Sequence, residues 1–417
     1  MEGQAGTTAL KRSLGLKDLL FFGIATILGS GGFNFIGEGV KQGGPLFPVA
    51  IAIVAALLFA ASKVYADAYE MFKTNTSESD VVRQEFGDFG GAFTALAILA
   101  FNVFSSSTLL VLAAKSIFPA ASWSGQIGFA LSLLGSAAAF SLKGIDANKE
   151  FVTTFSGLII ALLAGASAIG LWEGFDPAGT GLLAFPAALN KTPSFVGSIV
   201  FFYFVLAGFD DLMKFAEEAT EPDKNIPASF FLSNAVSTAL TIGVAYAFVH
   251  VLTIPKMGLG PGATTNPLGA IFQSVLGPGA VKPLFWIGIG LMLTSGFVDF
   301  LVVTRYLFGL AELPPGPKDA HAGSHYLSRF KWLRELNGAQ VPWKAVLTAV
   351  ALIGGGIMIN NVEALVRISD LSLTLVLLTV TGAVGVAKWR RDGRPPWLEG
   401  ATGLGFLGML YASCCPA

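Results

Sequence analysis

Gly29-Ser30-Gly31-Gly32-Phe33 lies inside the apolar stretch that opens at Leu16, and Ala207-Gly208-Phe209-Asp210 lies inside the stretch that opens near Ser194. Glycine is a poor helix residue, and each run sits where a membrane helix should be hardest to interrupt. Unwound backbone at membrane depth is tolerated only where protein encloses it or where it lines a cavity. Interrupted helices at corresponding places in two halves of a chain point to the binding site of a carrier built from repeats.

Composition supports that setting. The 417 residues are 53% hydrophobic and 13% charged, with mean hydropathy +0.67. Soluble domains carry about 25% charged residues, so the chain reads as an all-α polytopic membrane protein. A net charge of −1 argues against nucleic acid as a partner. Cys414 and Cys415 are adjacent near the C-terminus and supply no disulfide framework. His250, His321 and His325 lack metal-site spacing, and no nucleophile–base set stands out. The chain therefore reads as a non-enzyme with no cofactor or metal.

Apolar segments capable of spanning fall near 17–40, 45–67, 90–118, 124–142, 151–172, 194–217, 229–253, 283–310, 342–360, 363–388 and 400–415. The last is short and rich in glycine. The outer loop 254–281 includes a short surface helix near Asn266 to Leu276. With the N-terminus in the cytoplasm, all but six of the 26 Lys and Arg residues fall on the inner side. The exceptions are Lys41, Lys115, Lys191, Lys256, Lys282 and Arg367. That bias predicts a cytoplasmic N-terminus, a cytoplasmic 311–340 loop and an external 173–193 loop. Plasma membrane and organelle membrane are not distinguished. The breaks fall in the first and sixth segments, so the unit is five helices and the second copy is inverted. The expected divisions are a tail at 1–16, repeats at 17–172 and 194–388, and an extra C-terminal helix within 389–417.

On these residues the chain resembles the amino acid–polyamine–organocation permease superfamily, which has the LeuT-type fold. The first segment is similar to the family's G-S-G-I-F pattern, with Gly37 and Gly44-Pro45 following. Gly32 replaces the usual aliphatic residue. The sixth segment carries Gly208-Phe209-Asp210, Ala216-Glu217-Glu218 and Glu221-Pro222-Asp223-Lys224-Asn225-Ile226-Pro227. Weaker echoes are Phe86-Gly87, Arg305-Tyr306-Leu307 and Val341-Pro342-Trp343. The resemblance implies a five-plus-five inverted repeat with broken first and sixth helices, about eleven spans here. It implies secondary transport of amino acids by alternating access, proton-coupled or as an exchanger. Alternatives are a polyamine or other organic-cation carrier and a non-transporting amino-acid receptor. Some proton-coupled members carry a lysine in helix five, but Phe151 to Trp172 contains none.

An amino acid presents a carboxylate and an ammonium. Freed N–H groups of Gly29, Ser30, Gly31 and Gly32 suit the carboxylate. The alternative is that these glycines only permit close helix packing. The resemblance assigns the ammonium to the carbonyls of Phe204, Val205 and Ala207, and makes Phe204 or Phe209 a lid. Asn102, Ser105 and Ser106 share one helix face and either line the side-chain pocket or hydrogen-bond between helices. The coupling-ion candidates are Asp299, Thr294, Ser295 and Asp210. Intramembrane carboxylates default to functional hypotheses. The resemblance implies that hydroxyls at Thr294 and Ser295 hold sodium, as in sodium-coupled members of this fold; the plainer reading is that they bond to their own helix. The plainer reading pairs Asp210 and Asp211 with Lys214, and Asp299 with Arg305. Glu217, Glu218 and Glu221 are expected at the cytoplasmic surface against loop bases, and Glu363, Arg367 and Asp370 form an outer ion set.

Overall fold

The computed structural model describes residues 10–34, 36–173, 194–253, 267–311, 330–393 and 395–414. Asn190, the loop histidines His321 and His325, and Cys415 lie outside them. In hydrocarbon every backbone N–H and C=O must find a partner within the protein, which leaves the helix as the default element. The described chain follows that rule. Its helices are α1 (Leu16–Asn34), α2 (Ile36–Gly43), α3 (Phe47–Phe72), α4 (Ser77–Ile117) and α5 (Trp123–Ser141). Then come α6 (Ile145–Glu173), α7 (Phe195–Leu206), α8 (Pro222–Thr253), α9 (Pro267–Leu276) and α10 (Val281–Leu310). The series closes with α11 (Trp343–Ile357), α12 (Val362–Asp392) and α13 (Trp397–Cys414).

Local sequence sets the ends. Ser122, Ser194 and Asn361 each accept a hydrogen bond from a first-turn N–H, at 3.3, 3.0 and 3.1 Å, so the starts of α5, α7 and α12 are capped. Lys73 and Gly393 close α3 and α12 in the left-handed conformation. Gly87 has φ +80 and ψ 179 inside α4. It divides a leading helix of residues 77–86 from the long apolar helix that follows. The third segment therefore begins well before residue 90, and that early piece carries Glu78.

Among the described residues, six helices are long and apolar enough to cross a membrane by length and composition. They are Gly39–Phe72, Ser77–Ile117, Ile145–Gly170, Pro222–Val249, Lys282–Leu310 and Val362–Asp392. The other expected spans are present as helices, but shorter, interrupted or diluted with glycine and serine. The protein is an all-α polytopic membrane protein. Of the six, α10 is the most enclosed and α6 the least. Large apolar side chains such as Leu96, Leu347 and Leu404 are exposed, as expected for helices that face lipid.

Small residues bring the helices close, as they do where no hydrophobic drive separates protein from lipid. A methyl group on Gly170 would collide with Ala247, and one on Gly243 with Ser167, so α6 and α8 meet almost backbone to backbone. Gly23 of α1 leaves the same room for Ser233 of α8. The short helices α2 and α7 form a separate pair. Ser198 Oγ donates to the Gly39 carbonyl at 2.8 Å, and Phe202 covers Gly39.

One expectation is corrected here. The first break was placed at Gly29 to Phe33, but the backbone is helical through Asn34 and resumes at Ile36. Residue 35 lies outside the described residues. In an apolar surrounding the helical ladder is the least costly way to satisfy the N–H groups of this glycine run.

Candidate functional site

The sixth-segment break is well defined. α7 ends at Leu206, and Ala207 turns extended (φ −74, ψ 157) while its N–H still donates to the Tyr203 carbonyl at 2.9 Å. Gly208 has φ +120 and ψ 0, a conformation that side-chain-bearing residues rarely take. The chain then tightens into a 3₁₀ segment, Phe209–Phe215. Val205 and Ala207 are buried. Thr26 Oγ1 donates to the Gly208 carbonyl at 3.0 Å and to the Gly23 carbonyl at 3.0 Å. A Cβ on Gly208 would stand 3.3 Å from the Thr26 carbonyl group. The second break is thus pressed onto α1 one turn before Gly29 and Ser30. The second break therefore meets α1 just ahead of the glycine run. Nothing is described of the side chains of Ser30 and Phe204.

The polar face of α4 divides. Ser106 Oγ donates to the Gly296 carbonyl at 3.1 Å, and Ser105 Oγ donates to Asp299 Oδ2 at 2.6 Å. Both hydroxyls tie α4 to α10. Asn102 differs: its amide donates to Ile98 at 3.2 Å, but its Oδ1 is buried without a hydrogen-bond partner. Thr294 Oγ1 donates to the Gly290 carbonyl of its own helix at 2.9 Å. Ser295 is buried beside it. Phe209 packs edge-on against Tyr65 and Phe230, with ring centroids 5.3 and 5.9 Å apart. An apolar cavity between α4, α5 and α10 is bordered by Leu110, Leu133, Phe140 and Phe297. It has no charged lining group and does not suit a zwitterion.

Charged groups cluster at the other end of the break. Lys214 Nζ lies 2.8 Å from Glu78 Oε1, 3.4 Å from Asp210 Oδ2 and 3.8 Å from Asp211 Oδ1. Arg305 does not meet Asp299. It grips Glu218 with two bonds, Nε to Oε2 at 3.1 Å and Nη2 to Oε1 at 3.0 Å. The planar fork of arginine matches a carboxylate in this way, and it leaves Asp299 to Ser105. Glu218 is accordingly buried rather than at the surface. The Glu218 carbonyl also accepts the N–H groups of Ser13 and Leu14 at 2.9 and 3.0 Å, and Thr220 N–H donates back to Leu14 at 2.8 Å. The segment before α1 is stitched to the chain after the break, which closes this end. Glu363 and Arg367 pair at 2.7 Å in an exposed position.

Sequence reading missed Glu78 and Tyr65. Glu78 fell in what read as a connection, and Tyr65 is one aromatic among many. The only signal was Lys214 itself, a base inside an apolar segment with more acid nearby than it needs.

With this geometry in view, the chain compares with known proteins as follows. The amino acid permease family matches residues 14–415. A branched-chain amino acid permease of Bacillus subtilis, BcaP, is 25% identical, covering 94% of this chain and 84% of its own. A chloroplastic cationic amino acid transporter 9 of Arabidopsis thaliana is 25% identical over 73% of this chain and 56% of its own. An uncharacterized transporter of Mycobacterium tuberculosis is 19% identical over 95% of this chain and 84% of its own.

Proposed function

The chain belongs to the amino acid permease family and transports amino acids across a membrane, and from that premise we propose that it works by alternating access around the Ala207–Gly208 break and the glycine run of α1. The observation that carries this reading is the Ala207–Gly208 break held against α1 by Thr26. It sets irregular backbone at membrane depth inside protein, the one place such backbone is stable. In this reading the Gly29 to Gly32 run, which has almost no side chain, lets the substrate carboxylate approach the α1 backbone closely. The carbonyls of Phe204, Val205 and Ala207 take its ammonium. Asn102, with its open Oδ1, faces the side chain, and Ser106 supports it. Segments 17–172 and 194–388 form two inverted repeats of LeuT type, with the N-terminus in the cytoplasm. The stitched end at Leu14, Glu218 and Arg305 is then the closed cytoplasmic gate.

The named relatives differ in substrate charge: one is named for branched-chain amino acids and one for cationic amino acids. The branched-chain permease matches more of both chains, so leucine, isoleucine and valine head the substrate panel. Labelled amino-acid counterflow in proteoliposomes tests the reading. Counterflow with a branched-chain substrate supports it. Saturable binding with no counterflow would make the protein a receptor. Counterflow only with polyamines would move it to organic cations. Asn190-Lys191-Thr192 and Asn75-Thr76-Ser77 are glycosylation sequons, and sugar on Asn190 supports an external 173–193 loop. Asn75 is no control for the opposite orientation. Its side chain is fully buried and donates to the Arg305 carbonyl at 3.1 Å.

A further inference from the structure

The Lys214 cluster does not balance. One ammonium faces three carboxyl groups, and none of the four side chains is more than 2% exposed. An ammonium has three donors. Two are used on Glu78 Oε1 at 2.8 Å and the Asp210 carbonyl at 3.1 Å, and the third is left to the aspartate oxygens at longer range. Glu78 Oε2, Asp210 Oδ1 and Asp211 Oδ1 are buried with no hydrogen-bond partner. If all three carboxyls were ionised, two negative charges would be buried without compensation. Uncompensated charge in a low-dielectric interior is among the most costly arrangements a fold can hold.

A second observation comes from another helix. Tyr65 of α3 is fully buried, and its hydroxyl has no partner. Its ring rests on Phe209 and Phe230, and Glu78, Asp210 and Asp211 are the acidic groups whose charge reaches it. A hydroxyl both donates and accepts. It bonds to none of the three carboxyls here, and a small side-chain shift would let it donate to an ionised carboxylate or accept from a protonated one.

We infer that Glu78, Asp210 and Asp211, arranged around Lys214 and faced by Tyr65, form a proton-binding site. With the Leu14–Glu218 end closed, at least one of the three carboxyls holds a proton. The proton passes from a hydronium ion to a carboxylate oxygen, leaving water and a carboxylic acid. It returns to water when that end opens. A metal ion fits less well, because the ammonium occupies the point on which the carboxyls converge. Among the described residues no three acidic, histidine or cysteine groups lie close enough to share one.

The neighbouring elements bring these charges and no simple remedy. α10 contributes Asp299, whose charge acts on Asp210 and Asp211. It also contributes Arg305, which is taken by Glu218. α7 contributes the Tyr203 hydroxyl, 3.4 Å from Thr374 Oγ1. Gly23 and Thr26 of α1 and Phe230 and Ser233 of α8 carry no ionisable group. The site also touches the break. Lys214 holds the Asp210 carbonyl, and Asp211 N–H donates to the Gly208 carbonyl at 3.4 Å. Loading or emptying the site changes the hold on the backbone that Thr26 grips. As the driving site for uptake, this inference rests on the transporter reading. As a proton site it does not.

Infrared difference spectra of the full chain in lipid nanodiscs, stepped between acid and alkaline pH, read carboxyl protonation directly. The expected result is a carboxylic-acid C=O band at neutral pH that disappears in alkali. Glu78→Gln, Asp210→Asn or Asp211→Asn should remove or halve it. Tyr65→Phe, which keeps the ring packing and should fold, should shift its frequency. A folded wild-type protein with no such band overturns the inference. So does a band unchanged in all three amide variants and in Tyr65→Phe. A sodium-induced rise in melting temperature that these variants abolish would replace the proton by a cation. The proteoliposome arm is separate. Absence of amino-acid counterflow in the wild type sinks the transport reading and leaves the infrared result standing. Counterflow with pH-gradient-driven uptake intact in all four variants sinks the driving role.

Discussion

Arg305→Met is the substitution whose effect follows most directly from the geometry. The two bonds to Glu218, 3.0 and 3.1 Å long, join side chains that are 0% and 2% exposed. Methionine keeps much of the volume and removes the charge, so Glu218 is left ionised and enclosed. Breaking one side of a buried pair costs about 3–5 kcal/mol. That cost falls on the conformation in which Glu218 is buried, which is the one with Leu14 stitched to Ala219. A conformation that opens this end and wets Glu218 escapes it. At about 1.4 kcal/mol per tenfold, the balance shifts toward the open form by roughly two to three and a half orders of magnitude. The assay uses a chain with Cys414 and Cys415 replaced by serine and Ala219→Cys added. Ala219 is fully buried in the closed form. Labelling by a membrane-impermeant maleimide from the Arg305 side should accelerate by two orders of magnitude in Arg305→Met. It should return most of the way in Arg305→Met with Glu218→Gln, where no charge is stranded. An unchanged labelling rate in the single variant, with the fold intact by melting temperature, would show that the pair does not hold the gate.

Three further outcomes are expected. Gly31→Val should abolish amino-acid binding without unfolding the protein, and Asn102→Ala should change substrate ranking more than overall affinity; normal binding by the first variant would move the substrate elsewhere. Gly208→Ala should cost about 1–3 kcal/mol from its positive φ, beyond the close contact with Thr26, and should lower transport together with melting temperature; a melting temperature equal to wild type would mean the break relaxes freely. Asp299→Asn keeps the bond from Ser105 in reach and removes a charge that acts on the Lys214 cluster, so it should retain exchange and weaken, without abolishing, uptake driven by a pH gradient; loss of uptake on sodium removal, with pH-driven uptake intact, would favour Thr294 and Ser295 instead.

Much of this was legible from residue type and spacing. The second break is visible because glycine followed by acid in an apolar run has few other uses, and Gly208 indeed adopts φ +120. The segments from 45 to 388 emerge near their expected places because lipid leaves the backbone one economical structure. That the run from Gly29 stays helical was not legible, since residues of low helix propensity still cost less inside the ladder than outside it. The partners of the buried charges were not legible either. Arg305 could have reached Asp299 or Glu218, and only the crossing of α10 against the chain after the break decides it. Glu78 comes from a helix that Gly87 sets at an angle to the one it precedes. No periodicity in sequence carries that angle.

The stitch between Leu14 and Ala219 has a consequence for how the protein is made. During synthesis, α1 emerges long before the residues that satisfy its leading backbone groups. Until Glu218 and Thr220 have been translated, the N–H groups of Ser13 and Leu14 and the Leu14 carbonyl must remain with water at the membrane surface. Arg305, translated later still, completes the clasp. Contacts that join distant parts of a chain form late, because the intervening loop must be ordered first. The nascent first half therefore enters the bilayer with one end unsealed and held by the bond from Lys149 to the Ser13 carbonyl and the pair of Lys149 with Asp18.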